Sequence, residues 1–435
     1  MNLKRHIPIV LLWTSIILVS SCGEDRTYEY EEKTERSHWM IDTMKEWYLW
    51  GDSIYEPEWK DFFAAPPDFF KKLTGMSKMN DKWSYCAIDT TLIDYHERGQ
   101  FNHINSYGMD FVVMTDPTGS TTRSYARVTS VLPGSPAAEC GMRRNDFISS
   151  IDGAKLTSNN STLLKSGKSR TLEISRIGTD EEAEGLVWTS TTEVELPASR
   201  YVEDYAFPLD TVYDMGDLRI GYIMCTRMQP HAPEKEANTE DYLSDMERIF
   251  SSMKSMSPDE LVIDLRLCND GTMDMACRMA SYVVSAEHLD NVFACTFWNK
   301  HKEERNSEIL YDKSLTGKTL GMHRIFVITS NYTTGAAEWF VHSLRTTLGE
   351  DNVLVVGEPT AGQNVMTYAV PSDYRFTLYL AVAYVADSEG NYDYASGLQP
   401  DMGINEFEYV ELYPYGDLRE SLLAGAVEFI YGVRE

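Results

Sequence analysis

The chain has 435 residues, with 67 acidic against 39 basic side chains and a formal net charge of −28. That balance argues against a nucleic-acid binder, which needs a positive face for the phosphate backbone, and against adsorption to anionic lipid. The length predicts two or three domains. Six cysteines follow Cys22: Cys86, Cys140, Cys225, Cys268, Cys277 and Cys295. None forms a Cys-x-x-Cys pair, which argues against a zinc knuckle or a thioredoxin-type site. Several lie in apolar runs, where a free thiol behaves as a small hydrophobe. Nothing in the sequence calls for a metal or a cofactor.

Residues 1–22 read as a targeting segment. Lys4 and Arg5 make a positive start, and the apolar run Ile7 to Val19 is too short to span a bilayer as a stable helix. It ends in Val19-Ser20-Ser21-Cys22, small residues before a cysteine. This resembles a bacterial lipoprotein signal, which implies a lipid on Cys22. Residues 23–35 are acidic and polar and are expected to form a tether. From 36 to 95, Trp39, Met40, Met44, Trp47, Tyr48 and Leu49 recur at helical spacing. Trp59, Phe62, Phe63, the Pro66-Pro67 break, Phe69, Phe70 and Leu73 follow. This predicts a small aromatic-rich helical region without chemistry of its own.

Residues 104–200 read as β-rich. Val128 and Val131 supply strand positions, and Pro133-Gly134 forces a turn. Ser135 is placed to cap a short helix opening at Pro136. Ile148 and Ile151 bracket a strand that ends in the tight Asp152-Gly153 turn, and Leu172 to Ile177 alternates like a closing strand. This ordered run resembles a PDZ domain. The resemblance implies that Tyr107, Gly108, Met109, Asp110 and Phe111 form the loop and strand that receive a peptide, with Gly108 allowing close approach of its terminal carboxylate.

Residues 205–430 alternate strands with helices, which predicts an α/β layer. Strands are expected at 219–225, 260–266, 325–329 and 353–356, and helices at 238–256, 273–284 and 336–348. Within this piece, Arg324-Ile-Phe-Val-Ile-Thr-Ser-Asn-Tyr-Thr-Thr-Gly-Ala-Ala-Glu338 reads as a strand turning into a helix. Val355-Val-Gly-Glu-Pro-Thr-Ala-Gly-Gln363 reads as a second strand ending in a turn. The two segments resemble the active-site halves of the C-terminal processing (tail-specific) serine peptidases. The helical region, the PDZ-like piece and the core follow in that family's order. The implied fold is an α/β, ClpP/crotonase-like core plus a small β-rich PDZ domain and an N-terminal helical region.

In that family a serine in the first turn is the nucleophile and a lysine after the Glu-Pro-Thr turn is the base. Here those positions are Gly335 and Gln363. Glycine has no group to attack with, and an amide has no useful basicity near neutral pH. The turn after the 262–266 strand ordinarily holds a Gly-Gly pair that contributes an oxyanion donor. It reads Cys268-Asn269-Asp270-Gly271, so Asp270 sets an anion where negative charge would develop. Gly271 and Ala336 complete the oxyanion positions. Thr333, Thr334, Ser330 and Ser343 are the nearby hydroxyls, with Thr334 the first candidate for a displaced nucleophile. Glu338 and His342, four apart on one helix, could pair; the other reading is that Glu338 is the helix acid the resemblance implies and His342 a structural histidine. His231 and His288 read as structural.

The resemblance therefore implies a catalytically degenerate relative that binds unstructured or C-terminal peptides of envelope proteins and no nucleic acid. Two alternatives stand beside it. One is an active peptidase using a displaced nucleophile such as Thr334. The other is a lipid or small-molecule binder on the crotonase-like core. Glu24-Asp25 after Cys22 points to outer-membrane delivery, on the periplasmic or surface face, in a Gram-negative bacterium.

Overall fold

The computed structural model describes residues 27–75, 81–88, 105–180, 185–232 and 241–434. The targeting segment and Cys22 lie outside the described residues. The chain divides into two compact units, residues 1–90 with 367–381, and residues 91–366 with 382–435. Among the described residues no helix is long and apolar enough to cross a membrane.

The first unit is built on α1 (Thr27–Trp47), α2 (Pro66–Gly75) and β1 (Tyr85–Ile88). The start of α1 corrects the tether expectation for residues 27–35. That stretch holds no Gly or Pro to stop a helix and is rich in Glu, a good helix former. Met40 and Met44 are buried from α1, and Phe69, Phe70 and Leu73 from α2. The aromatics form the expected packing. Trp47 stacks on Tyr368 at 5.7 Å between ring centres, and Trp39 meets Phe376 edge-on at 5.6 Å. β1 pairs antiparallel with residues 376–379, and Tyr85 stacks on its cross-strand partner Tyr379 at 4.5 Å.

The second unit begins with the β-rich module. It comprises β2 (Met109–Thr115), β3 (Ser124–Val131), α3 (Pro136–Glu139), β4 (Phe147–Ile151), β5 (Ala154–Lys155), β6 (Arg170–Asp180) and β7 (Gly185–Leu196). The sheet order is β2-β3-β4-β6-β7, with β5 paired to β4. Ser135 caps α3 by accepting from the Ala138 N–H at 3.1 Å. Asp152 and Gly153 both take positive φ, as a two-residue hairpin of this kind requires.

The α/β layer follows. The remaining elements in chain order are β8 (Leu209–Asp214), β9 (Arg219–Met224), α4 (Asp241–Met256), β10 (Glu260–Asp264), α5 (Met273–Val283), β11 (Val292–Trp298), β12 (Ser307–Leu310), β13 (Ile325–Thr329), α6 (Ala336–Leu348), β14 (Val353–Gly357), β15 (Val365–Pro371), β16 (Phe376–Ala386), β17 (Met402–Gly403) and α7 (Ser421–Gly432), of which β11, β12, β15 and β16 lie in a separate sheet and residues 367–381 belong to the first unit. The main sheet of the layer runs β17-β14-β13-β10-β9-β8. All neighbours pair in parallel except the antiparallel edge β8. Successive strand residues face opposite sides, and here both sides are covered. Ile263, Val327 and Val355 pack under α4, α5 and α6. Val262, Phe326 and Val356 pack under Leu423, Ala426 and Ile430 of α7. Burial on both faces is why β10, β13 and β14 read as unbroken apolar runs.

Within one unit the PDZ-like module is joined to the core by two buried arginine side chains, Arg127 and Arg144, beside a third, Arg266, of the core itself. Arg144, from the module, pairs with Glu406 at 2.5 Å and lies 4.1 Å over the ring of Tyr415. Arg127 donates to the Tyr409 and Val410 carbonyls at 2.8 and 2.9 Å. Arg266, fully buried after β10, is ringed by Asp264, Glu406 and Glu420.

Candidate functional site

β10 and β13 end side by side, and the turns that follow them make the site. After β13, residues 330–334 are pinned by their own hydroxyls. Ser330 Oγ donates to Arg266 O at 2.5 Å, Thr333 Oγ1 to Leu265 O at 2.9 Å, and Thr334 Oγ1 to Tyr332 O at 2.7 Å. Each proton is committed to a backbone carbonyl, and Thr334 is only 1 % exposed. These hydroxyls shape the turn.

Gly335 is the N-cap of α6, with φ 56° and ψ −114°. Glycine adopts that conformation freely, whereas an L side chain is strained there. A Cβ built at Gly335 would lie 3.3 Å from Gln363 Oε1. The two positions singled out 28 residues apart therefore meet.

Glu338, one turn into α6, organises both halves. Its carboxylate accepts from the Gly335 N–H at 3.0 Å, the Gly362 N–H at 2.6 Å, the Gln363 N–H at 2.7 Å and Thr360 Oγ1 at 2.5 Å. Burial pushes its carboxyl above the usual range, and those four donors oppose the push. Trp339 Nε1 adds a hydrogen bond to the Gln363 carbonyl at 3.1 Å. Asp401, which follows Pro400 just before β17, is a brace. Asp401 Oδ2 accepts from the Val355 N–H at 2.8 Å and from Arg345 at 2.9 Å.

The turn after β10 comes against the same helix start. A Cβ on Gly271 would fall 2.5 Å from Ala336 Cβ, so glycine is required for the two turns to touch. The Thr334 N–H donates to Cys268 O at 3.0 Å. Asp270 is exposed, and its carboxylate accepts from Gln229 Nε2 at 2.9 Å. Its backbone carbonyl accepts from the Met228 N–H at 2.8 Å.

Of the two readings of Glu338 and His342, a helix acid beside a structural histidine is the one seen, and the pair does not form. Glu338 is spent on the four donors, while His342 lies 4.5 Å from the Tyr394 ring and its Nε2 meets Asn391 O at 2.8 Å. His231 Nδ1 meets its neighbour's carbonyl, Ala232 O, at 2.9 Å, and His288 lies 3.9 Å from Glu287. Ser343 is buried in α6.

The peptide-binding candidates divide. Tyr107 and Met109 belong to the core of the β-rich module, because their alternation points them inward. Gly108 is packed against Ser135 and Val202. Asp110 and Phe111 are half-buried at the start of β2. A cavity of about 620 Å³, lined by Gly178, Tyr409, Tyr413, Arg419 and Glu428 among others, includes none of the site residues above. The sequence reading missed Thr360 as a Glu338 partner, Trp339 as a clamp on Gln363, and the arginine cluster behind the turn. A lone arginine closing an apolar strand at 266 was the signal for the last.

A two-sided parallel layer with paired turns at its strand ends and an attached PDZ-like sheet defines a PDZ-bearing serine-peptidase fold. Family models agree along the chain. Residues 219–404 match peptidase family S41, 127–175 match a PDZ domain, and 35–85 match the peptidase S41 N-terminal domain. The chain belongs to peptidase family S41. It is 24 % identical over 305 residues to the carboxy-terminal processing protease CtpA of Bacillus subtilis, covering 68 % of this chain and 57 % of that one. CtpB of the same organism is 23 % identical over 309 residues, covering 68 % and 55 %. The chain thus spans somewhat over half the length of these relatives. It also resembles the crystal structure of a Bacteroides fragilis protein described as an S41 protease. That match has 28 % identity and a TM-score of 0.79 and covers 91 % of this chain and 97 % of the other.

Proposed function

We propose that this S41 member is a pseudopeptidase of the cell envelope, binding unstructured segments of envelope proteins without cleaving them. The observation that carries the reading is the meeting of Gly335 and Gln363. A Cβ at one would touch the side-chain amide of the other at 3.3 Å, so the two reactive positions of the family coincide with neither nucleophile nor base on them. The nearby hydroxyls give their protons to backbone carbonyls, and Glu338 is saturated by donors, which leaves Thr334 without a base. Loss of both members of such a dyad removes several orders of magnitude in rate.

The test is a fluorophosphonate probe together with a C-terminally tagged unstructured substrate. The purified protein is expected to show neither labelling nor turnover. Labelling that vanishes in Thr334→Ala would make this an active peptidase with a displaced nucleophile. The envelope location rests on the Cys22 context and is checked separately. Wild type is expected to fractionate with membranes and incorporate labelled palmitate, and Cys22→Ala to do neither.

A further inference from the structure

A loop that receives a free peptide C-terminus must offer unpaired N–H groups to the carboxylate. Here the Gly108 N–H is given to Ser106 Oγ at 3.0 Å, and the Tyr107 N–H points to Lys165 O at 3.4 Å. The Gly108 carbonyl is also taken, by the Leu132 N–H at 2.8 Å. The first side chain beyond the loop is the acid Asp110. Its carboxylate lies within electrostatic reach of Asp204, with Lys165 as the opposing cation. Tyr332, in the turn leading to Gly335, feels the charges of Asp110, Glu358 and Glu406. Asp204 itself pairs with Arg227 at 3.3 Å. Beside these acids, β2 is the terminal strand of its sheet among the described residues. It runs Met-Asp-Phe-Val-Val-Met-Thr, without the Lys or Pro that commonly block an edge, and Val113 is 38 % exposed.

We propose that this groove takes an extended, internal, cationic segment of a protein partner by strand addition to β2, and that Asp110 sets this preference over a free C-terminus. The inference rests on the peptide-binding reading above and names its ligand class. Burial, and then Asp204, hold the Asp110 carboxyl up at about 7, with Lys165 opposing. The preference is therefore strongest above neutral pH and fades below it as the carboxyl takes up a proton.

The test is fluorescence polarisation on the full chain with the labelled peptide Ala-Thr-Val-Lys-Val-Thr-Lys-Val-Thr-Ala. It is used as free acid, as amide, and with both lysines changed to glutamate. Acid and amide are expected to bind equally. At pH 8 the lysine peptide is expected to bind about fivefold tighter than the glutamate peptide, the size of one exposed charge pair. At pH 6 the ratio shrinks. Asp110→Asn is expected to remove both the preference and its pH dependence, and Asp110→Lys to reverse the preference. A free acid that binds far more tightly than its amide overturns the proposal, as does a lysine preference that survives in Asp110→Asn. Equal binding of lysine and glutamate peptides sinks this proposal and leaves the peptide-binding reading standing. Failure of every peptide on wild type and both variants sinks both.

Discussion

Two neighbouring strand ends in one sheet carry opposite characters. After β10, Arg266 is fully buried and bonded to Asp264, Glu406 and Glu420 at 2.8–2.9 Å. After β13, Gly335 faces the Gln363 amide and holds no functional group. A buried charge is costly unless every partner is present, so the first cluster must be complete for the fold to stand. A nucleophile and its base carry no such weight. Replacing a strained side chain with glycine relieves the backbone at 335. The scaffold of a peptidase and its chemistry are therefore separable, and the proposed reading is that this chain keeps the first without the second.

The largest expected effect breaks the complete cluster. Arg266→Met leaves three buried carboxylates around an apolar side chain and is expected to cost about 3–5 kcal/mol in urea unfolding. The deficit is expected to narrow in acid as those carboxylates become protonated.

Next comes the acid limb of stability. Burial alone would raise the Glu420 carboxyl, but Arg266 and then Arg144 overcome it and hold it at about 2. The native state thus binds fewer protons than the unfolded chain between the ordinary value of 4.5 and 2. The contribution of Glu420 is complete above 4.5 and is lost as pH falls toward 2. Glu420→Gln is expected to flatten that limb by about 3 kcal/mol at most, read from urea midpoints across pH 2–6.

The other strand end is expected to respond less. Gly335→Ser places a side chain at φ 56°, close to Gln363, and is expected to cost about 1–3 kcal/mol. Adding Gln363→Lys is expected to give at most partial cleavage of a tagged unstructured substrate while Asp270 remains. Full cleavage would show that the Asp270 side chain, held by Gln229, leaves the oxyanion position clear.

The smallest effect concerns Asp110. Its raised carboxyl keeps a proton in the native state where the unfolded chain has lost it, so stability falls as pH climbs from about 4 through 7. Asp110→Asn is expected to gain about 1 kcal/mol at pH 8 and nothing at pH 4, after discounting for solvent screening.

Much of this was legible before any coordinates. Continuous apolar runs located β10, β13 and β14 because strands covered on both faces have no polar side to show. The boundaries of β13 and α6 agreed residue for residue. The acidic 27–35 stretch misled, since polarity alone does not separate a tether from an exposed helix. Helical spacing left the Glu338–His342 pair open beside a helix acid and a structural histidine, because it shows only which residues are neighbours on one helix, while the stronger partners of Glu338 came from the 360–363 turn. Arg127, Arg144 and the 406–420 segment escaped because they are more than 250 residues apart.

Side-chain identity alone determined which chemistry positions 335 and 363 can offer, since no environment supplies a hydroxyl to glycine or a basic amine to glutamine. Only the folded sheet decided that these positions touch, that Glu338 binds both turns, and that Asp110 comes within reach of Asp204. Such contacts follow from strand order and register and from the loops these bring together, which a linear spacing does not contain.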